Sequence, residues 1–154
     1  MRKIILIMLV GISIFTQGCT MVTTESVPSE RVVEVDGAEK DTLYVRANNW
    51  MVDAFNNADS VVQFTDKESG TISGRYLLGT VSNASEYGPA RRAYATIKVR
   101  VKDGASKITV TPESFTYAKG NIYTLYTEED AKRDVDALLF SFETAMKKSE
   151  DDEW

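Results

Sequence analysis

Between Tyr94 and Thr111, apolar and polar residues alternate on both sides of Asp103-Gly104. Ile97, Val99 and Val101 stand on one parity, with Thr96, Lys98, Arg100 and Lys102 on the other. Beyond the turn, Ile108 and Val110 alternate with Lys107, Thr109 and Thr111. Successive side chains of a strand point to opposite faces, so this is the pattern of two antiparallel strands with one buried face and one solvated. Asp-Gly is favoured in a two-residue hairpin turn because both residues tolerate positive φ. Such a turn sets Val99 opposite Ile108 and Ile97 opposite Val110. A four-residue loop slides the pairing by two and keeps the same faces. Either way, the rest of the chain must cover the aliphatic side.

Two segments have the period to do so. Leu43, Ala47, Trp50, Met51, Ala54 and Phe55 recur at helical spacing over 39–57, with Asn56 and Asn57 as terminators. Thr127 caps a second helix with acids at 128–130, and Ala131, Val135, Leu138, Leu139, Phe142, Ala145 and Met146 form its apolar stripe, with Lys147 and Lys148 at its end. On stripes with this period Trp50 and its neighbours read as core. Short β-rich runs cover 31–35 and 60–66, and 71–80 follows a Lys67-Glu68-Ser69-Gly70 turn. Gly74 inside the last run marks a bulge or a close packing approach. A polar loop spans 82–90, Pro112 calls for an edge, a strand end or a bulge, and 114–126 has no clear period. The expected fold is α+β: a two-layer β-α-β-β-β-β-α order, with an antiparallel sheet and two helices packed on one face.

The chain opens differently. Arg2 and Lys3 precede an apolar run from Ile4 to Phe15, shorter than the roughly 20 residues of a membrane-spanning helix, so 1–18 reads as an export signal. Thr16-Gln17-Gly18-Cys19 resembles a bacterial lipobox, which implies diacylglyceryl transfer to Cys19 and a mature chain held by membrane lipid. Multiple acyl chains give stable anchoring where one does not. Thr20, not an acid, follows the cysteine, which by resemblance to Gram-negative sorting implies the outer membrane, facing the periplasm. Residues 19–30 (Cys19, then TMVTTESVPSE) show no apolar period and read as a tether reaching about 17 Å if flexible. That leaves 31–148 as the domain and 149–154 as an acidic tail.

Composition narrows the chemistry. The 154 residues include 18 basic and 23 acidic side chains, a net charge of −5, and the export signal takes away Arg2 and Lys3 but no acid. So acidic a chain is a poor polyphosphate or nucleic-acid binder, since that binding is driven by basic patches. There is no histidine, and Cys19 is the single cysteine. His-based general bases, Ser-His and Cys-His pairs, His or Cys zinc sites and an internal disulfide are therefore excluded. Asp66 and Glu68 could pair for acid–base work but read as the solvated end of a hairpin. Asp130, Asp134 and Asp136 read as a solvated helix face, because hard cations need oxygens converging from a loop. No catalytic residue, metal site or cofactor is assigned.

Four stretches together carry a family resemblance: VVEVDGAEKDTLYVRANNWM (32–51), VVQFTDKESGTISGRYLLG (61–79), YATIKVRVKDGASKITVT (94–111) and the Ala137–Met146 helix. They resemble a family of bacterial exported domains of unknown function with a TATA-binding-protein-like fold, over about residues 31–148. The resemblance implies the fold. It implies no DNA binding, because function lives in sites and not in folds.

The candidate partner-binding face is Lys98, Arg100, Lys102 and Lys107, with Arg75, Arg91 and Arg92 nearby, on the sheet face away from the helices. The expected function is a non-enzymatic, lipid-anchored envelope module that binds an envelope protein or another anionic partner, but no nucleic acid. The alternative is a carrier of a small apolar ligand between helices and sheet, in a cavity near Trp50 and Tyr76. An envelope hydrolase ranks last.

Overall fold

The computed structural model describes residues 20–56 and 60–148. Residues 1–18, read above as an export signal, Cys19, residues 57–59 and the acidic residues 149–154 lie outside the described residues. The elements are β1 (Thr20–Thr23), β2 (Ser29–Glu34), α1 (Lys40–Ala54), β3 (Val61–Asp66), β4 (Thr71–Ser82), β5 (Arg91–Lys102), β6 (Ala105–Pro112), β7 (Thr116–Lys119) and α2 (Glu128–Lys147). Five strands form an antiparallel sheet in the order β2-β6-β5-β4-β3, and β1 and β7 form a separate antiparallel pair.

The β5–β6 hairpin takes the two-residue turn: Lys102 pairs with Ala105, Val99 with Ile108 and Ile97 with Val110. Gly104 alone supplies the positive φ of that turn, at 73°. Pro112 ends β6 opposite Ala95. Ile97, Val99, Ile108 and Val110 are fully buried, together with Leu43, Ala47 and Met51 of α1 and Phe142 and Met146 of α2. Both helices therefore cover one sheet face. They join where Trp50 meets the Phe142 ring edge-on, with centroids 5.1 Å apart, and Trp50 Nε1 donates to Ser141 Oγ at 3.0 Å. Ser106 Oγ is the polar exception in this core, buried without a hydrogen-bond partner.

Of the two readings Gly74 allowed, the close packing approach holds, while the bulge beside it lies in β3. The β3–β4 register shifts between Val62 and Phe64. A Cβ on Gly74 would lie 2.7 Å from the Phe55 ring and from the Val61 carbonyl oxygen. The absent side chain lets the end of α1 rest on β4.

One expectation needs correction. Residues 20–30 are not a free tether: β1 pairs with β7, Thr24 is buried, and its Oγ1 accepts from the Phe115 N–H at 2.9 Å. Ser29 and Glu30 already belong to β2. A polar β-rich run such as Thr20–Thr23 shows no apolar period, yet it makes a ladder once another strand is beside it, because the ladder uses backbone groups. That other strand is β7, inside the stretch 114–126 whose pattern was unreadable.

Candidate interaction face

On the face opposite the helices, β5 presents Tyr94, Thr96, Lys98, Arg100 and Lys102, and β6 presents Lys107, Thr109 and Thr111. The buried residues between them, Ile97, Val99, Val101, Ile108 and Val110, all point to the other side. The four predicted site residues thus share one surface. Arg100 stands directly opposite Lys107 across the hairpin, and Lys98 opposite Thr109. Like charges in such a pair repel.

The repulsion is relieved on one side only. Glu30 of β2 bonds Lys107 Nζ at 2.7 Å and accepts from Thr109 Oγ1 at 2.9 Å. The Lys107 hydrogen bond first, then that from Thr109, holds the Glu30 carboxyl below its usual range. No carboxylate pairs with Lys98, Arg100 or Lys102 among the described residues. Glu30, Thr96, Lys98, Arg100, Lys107 and Thr109 border a groove of about 360 Å³. Glu30 was hidden from sequence reasoning by the tether reading. No apolar alternation marks residues 29–33, so only the pairing of β2 with β6 brings Glu30 beside Lys107.

The nearby arginines do not all add to this face. Arg75 makes a two-pronged bond to Glu113, at 2.7 and 2.8 Å, and lies 3.5 Å over the Tyr94 ring. The Arg75 hydrogen bond is also the main cause that lowers the Glu113 pKa. Arg91 bonds Ser82 Oγ and the Thr116 carbonyl, tying β5 to β7.

Three of the acids singled out in the sequence, Asp66, Asp130 and Asp134, have structural partners. Asp66 Oδ1 accepts the N–H groups of Glu68 and Ser69, at 3.0 and 3.2 Å, and so closes its own turn. Asp130 belongs to the α2 cap, and Asp134 accepts the Tyr126 hydroxyl at 2.8 Å. Burial first, then that hydrogen bond to a carboxylate, pushes the Tyr126 hydroxyl pKa far above its ordinary value. Tyr126 also lies against Gly79, where no side chain would fit.

The places proposed for an apolar ligand are occupied by rings. Trp50 packs on Phe142, and Tyr76 packs on Phe55 with centroids 5.5 Å apart. A cleft of about 640 Å³ lies elsewhere, between residues 23–29 and α2, where Val27, Pro112, Phe115, Ala131 and Val135 line it.

Residues 30–117 match the family model described as "Domain of unknown function (DUF4468) with TBP-like fold". Among solved structures, the chain is similar to a DUF4468 family protein from Bacteroides ovatus ATCC 8483, with 18% identity and a TM-score of 0.50. That match covers 80% of this chain and 88% of the other. It is also similar to a TBP-like protein from Parabacteroides distasonis ATCC 8503, with 14% identity and a TM-score of 0.57, covering 81% and 95%. No curated protein matches. At such identities the likeness shows the fold alone.

Proposed function

The chain belongs to the DUF4468 family of domains of unknown function with a TBP-like fold, and on that premise we propose that it is a non-enzymatic, lipid-anchored envelope module. It takes an anionic partner on the outer face of its sheet. One observation carries the reading. Lys98 and Arg100 border a groove without a carboxylate partner among the described residues, with Lys102 further along the same strand face, on a chain whose net charge is −5. An acidic protein has the means to neutralise its own cations, as Arg75 and Lys107 illustrate. Cations left open on one face favour encounter with negative charge, an effect that weakens with salt.

The anchor is read from the sequence around Cys19, and its test is direct: Cys19→Ser should release the protein from salt-washed membranes. The binding face is tested with the double variant Lys98→Glu, Arg100→Glu and a photo-crosslinker at position 96 in cells. The expected result is unchanged melting with loss of a discrete crosslinked product. If the products are the same before and after reversal, the face is solvated surface. Lys107 is left in place, because reversing it would set a carboxylate against Glu30.

A second reading, a carrier of a small apolar ligand, is favoured by the cleft between residues 23–29 and α2. An apolar dye displaced by Val135→Trp would support it.

A further inference from the structure

The register of the small sheet puts Thr20 opposite Lys119. The residue bonded to Thr20 is Cys19, and neighbouring Cα atoms lie about 3.8 Å apart. An acyl group on Cys19 would therefore enter the bilayer beside the end of β7, with no free tether between lipid and domain.

The turn that follows β7 is apolar where it is most exposed. Ile122 is 85% exposed, Tyr123 75% and Leu125 53%, and Met21 on the paired strand is 58% exposed. The turn is held in that form. Asn121 Oδ1 accepts the Tyr123 N–H at 2.8 Å, Thr124 Oγ1 donates to the Ala118 carbonyl at 2.8 Å, and the Leu125 N–H donates to the Val81 carbonyl at 3.0 Å. Single exposed apolar residues are ordinary, but several gathered at one end of a domain mark an interaction surface.

We propose that this end, with Met21, Ile122, Tyr123 and Leu125, seats against the lipid surface that holds Cys19, an inference that rests on the lipid-anchor reading. Ile122 and Leu125 suit the boundary of the acyl region, and Tyr123 suits the headgroup level, where aromatic rings with one polar end collect. Lys119 at the rim suits anionic headgroups. The acyl chains then fix where the domain is held, and the turn fixes how it stands.

The test uses the full chain, purified from membranes and reconstituted into vesicles of phosphatidylethanolamine and phosphatidylglycerol. A polarity-sensitive fluorophore is attached at Tyr123→Cys in one sample and Lys98→Cys in another. Lipids carrying a nitroxide then probe each position. The expected result is quenching and a blue shift at position 123 and neither at 98. Further substitution Ile122→Asp should diminish the effect at 123 while the acyl chains keep the protein on the vesicle. Equal access of both positions to aqueous iodide, with no lipid quenching, overturns the proposal. So does protection at 123 that grows with protein surface density, which would mean contact with a second copy. Mass spectrometry of the N-terminal peptide separates the two readings. An acylated peptide without lipid contact at 123 refutes the seating alone, and an unacylated peptide refutes both.

Discussion

The two helices cover the same sheet face but are specified in different ways. α2 carries its own start. The Thr127 N–H donates to the Asp130 carboxylate at 2.9 Å, and Thr127 Oγ1 accepts the Asp130 N–H at 3.4 Å, a reciprocal cap within four residues. Glu128, Glu129 and Asp130 place negative charge at the positive end of its dipole. α1 has no such device, since Glu39 at its N-cap makes no side-chain capping bond. Its Lys40 N–H is taken instead by Asp103 Oδ1 at 2.8 Å, from the β5–β6 turn 63 residues further on. Lys67 pairs with Asp41 at 2.9 Å, and Lys40 Nζ reaches the Glu68 carbonyl. One helix is written locally, and the other is completed by hairpin turns of the sheet it covers. Even α2 borrows at its far end, where Arg46 of α1 donates to the Met146 carbonyl at 3.0 Å.

The largest expected effect lies where the helices meet. Trp50→Ala removes a 6% exposed ring from Phe142 and leaves Ser141 Oγ without its donor. A loss of about 3–5 kcal/mol in denaturant unfolding is expected from burial and residual cavity. A small loss would mean that α1 is held by its turn contacts and not by packing. A smaller effect compares the caps: Asp103→Ala and Thr127→Ala should each cost about 1 kcal/mol, the usual loss for a removed cap. Hydrogen exchange should tell them apart. Thr127→Ala should open only the first turn of α2, whereas Asp103→Ala should loosen the start of α1 and also the β5–β6 turn that supplies the bond. Equal, local changes in both would dissolve the distinction between the helices.

The smallest effect is a pH response confined to α2. Hydrogen bonds from the Thr127 side chain and backbone hold the Asp130 carboxyl below its ordinary value. A depressed carboxylate contributes stability above its unfolded pKa, near 4, and loses it as pH falls through the folded value. Amide exchange at residues 128–131 should therefore quicken in that acid window, and the pH dependence should flatten in Thr127→Ala.

Legibility in the sequence follows the same division. The β5–β6 hairpin could be read to the residue pair, because alternation sets the faces and Asp103-Gly104 sets the turn. α2 could be read from Thr127 to its apolar stripe. The face carrying Lys98, Arg100, Lys102 and Lys107 followed from parity alone. Glu30, which clamps Lys107, did not, and neither did the neutralisation of Arg75 by Glu113. Both depend on which strand lies beside which, and no local period encodes that. The β1–β7 pair was the least visible, because Thr20–Thr23 and Thr116–Lys119 carry no alternating aliphatic set.

By itself, then, the sequence determined the parity of the strands, the hairpin turn, the apolar stripes of both helices and the absence of histidine chemistry. These are properties of neighbouring residues, set by side-chain direction and backbone preference. Only the tertiary structure decided that residues 20–24 pair with 115–119, that Asp103 caps α1, and that Lys107 is paired with Glu30 while no carboxylate among the described residues pairs with Lys98 or Arg100. Each of those joins groups far apart in the chain, and a hydrogen bond or ion pair depends on distance in space, which sequence separation does not record.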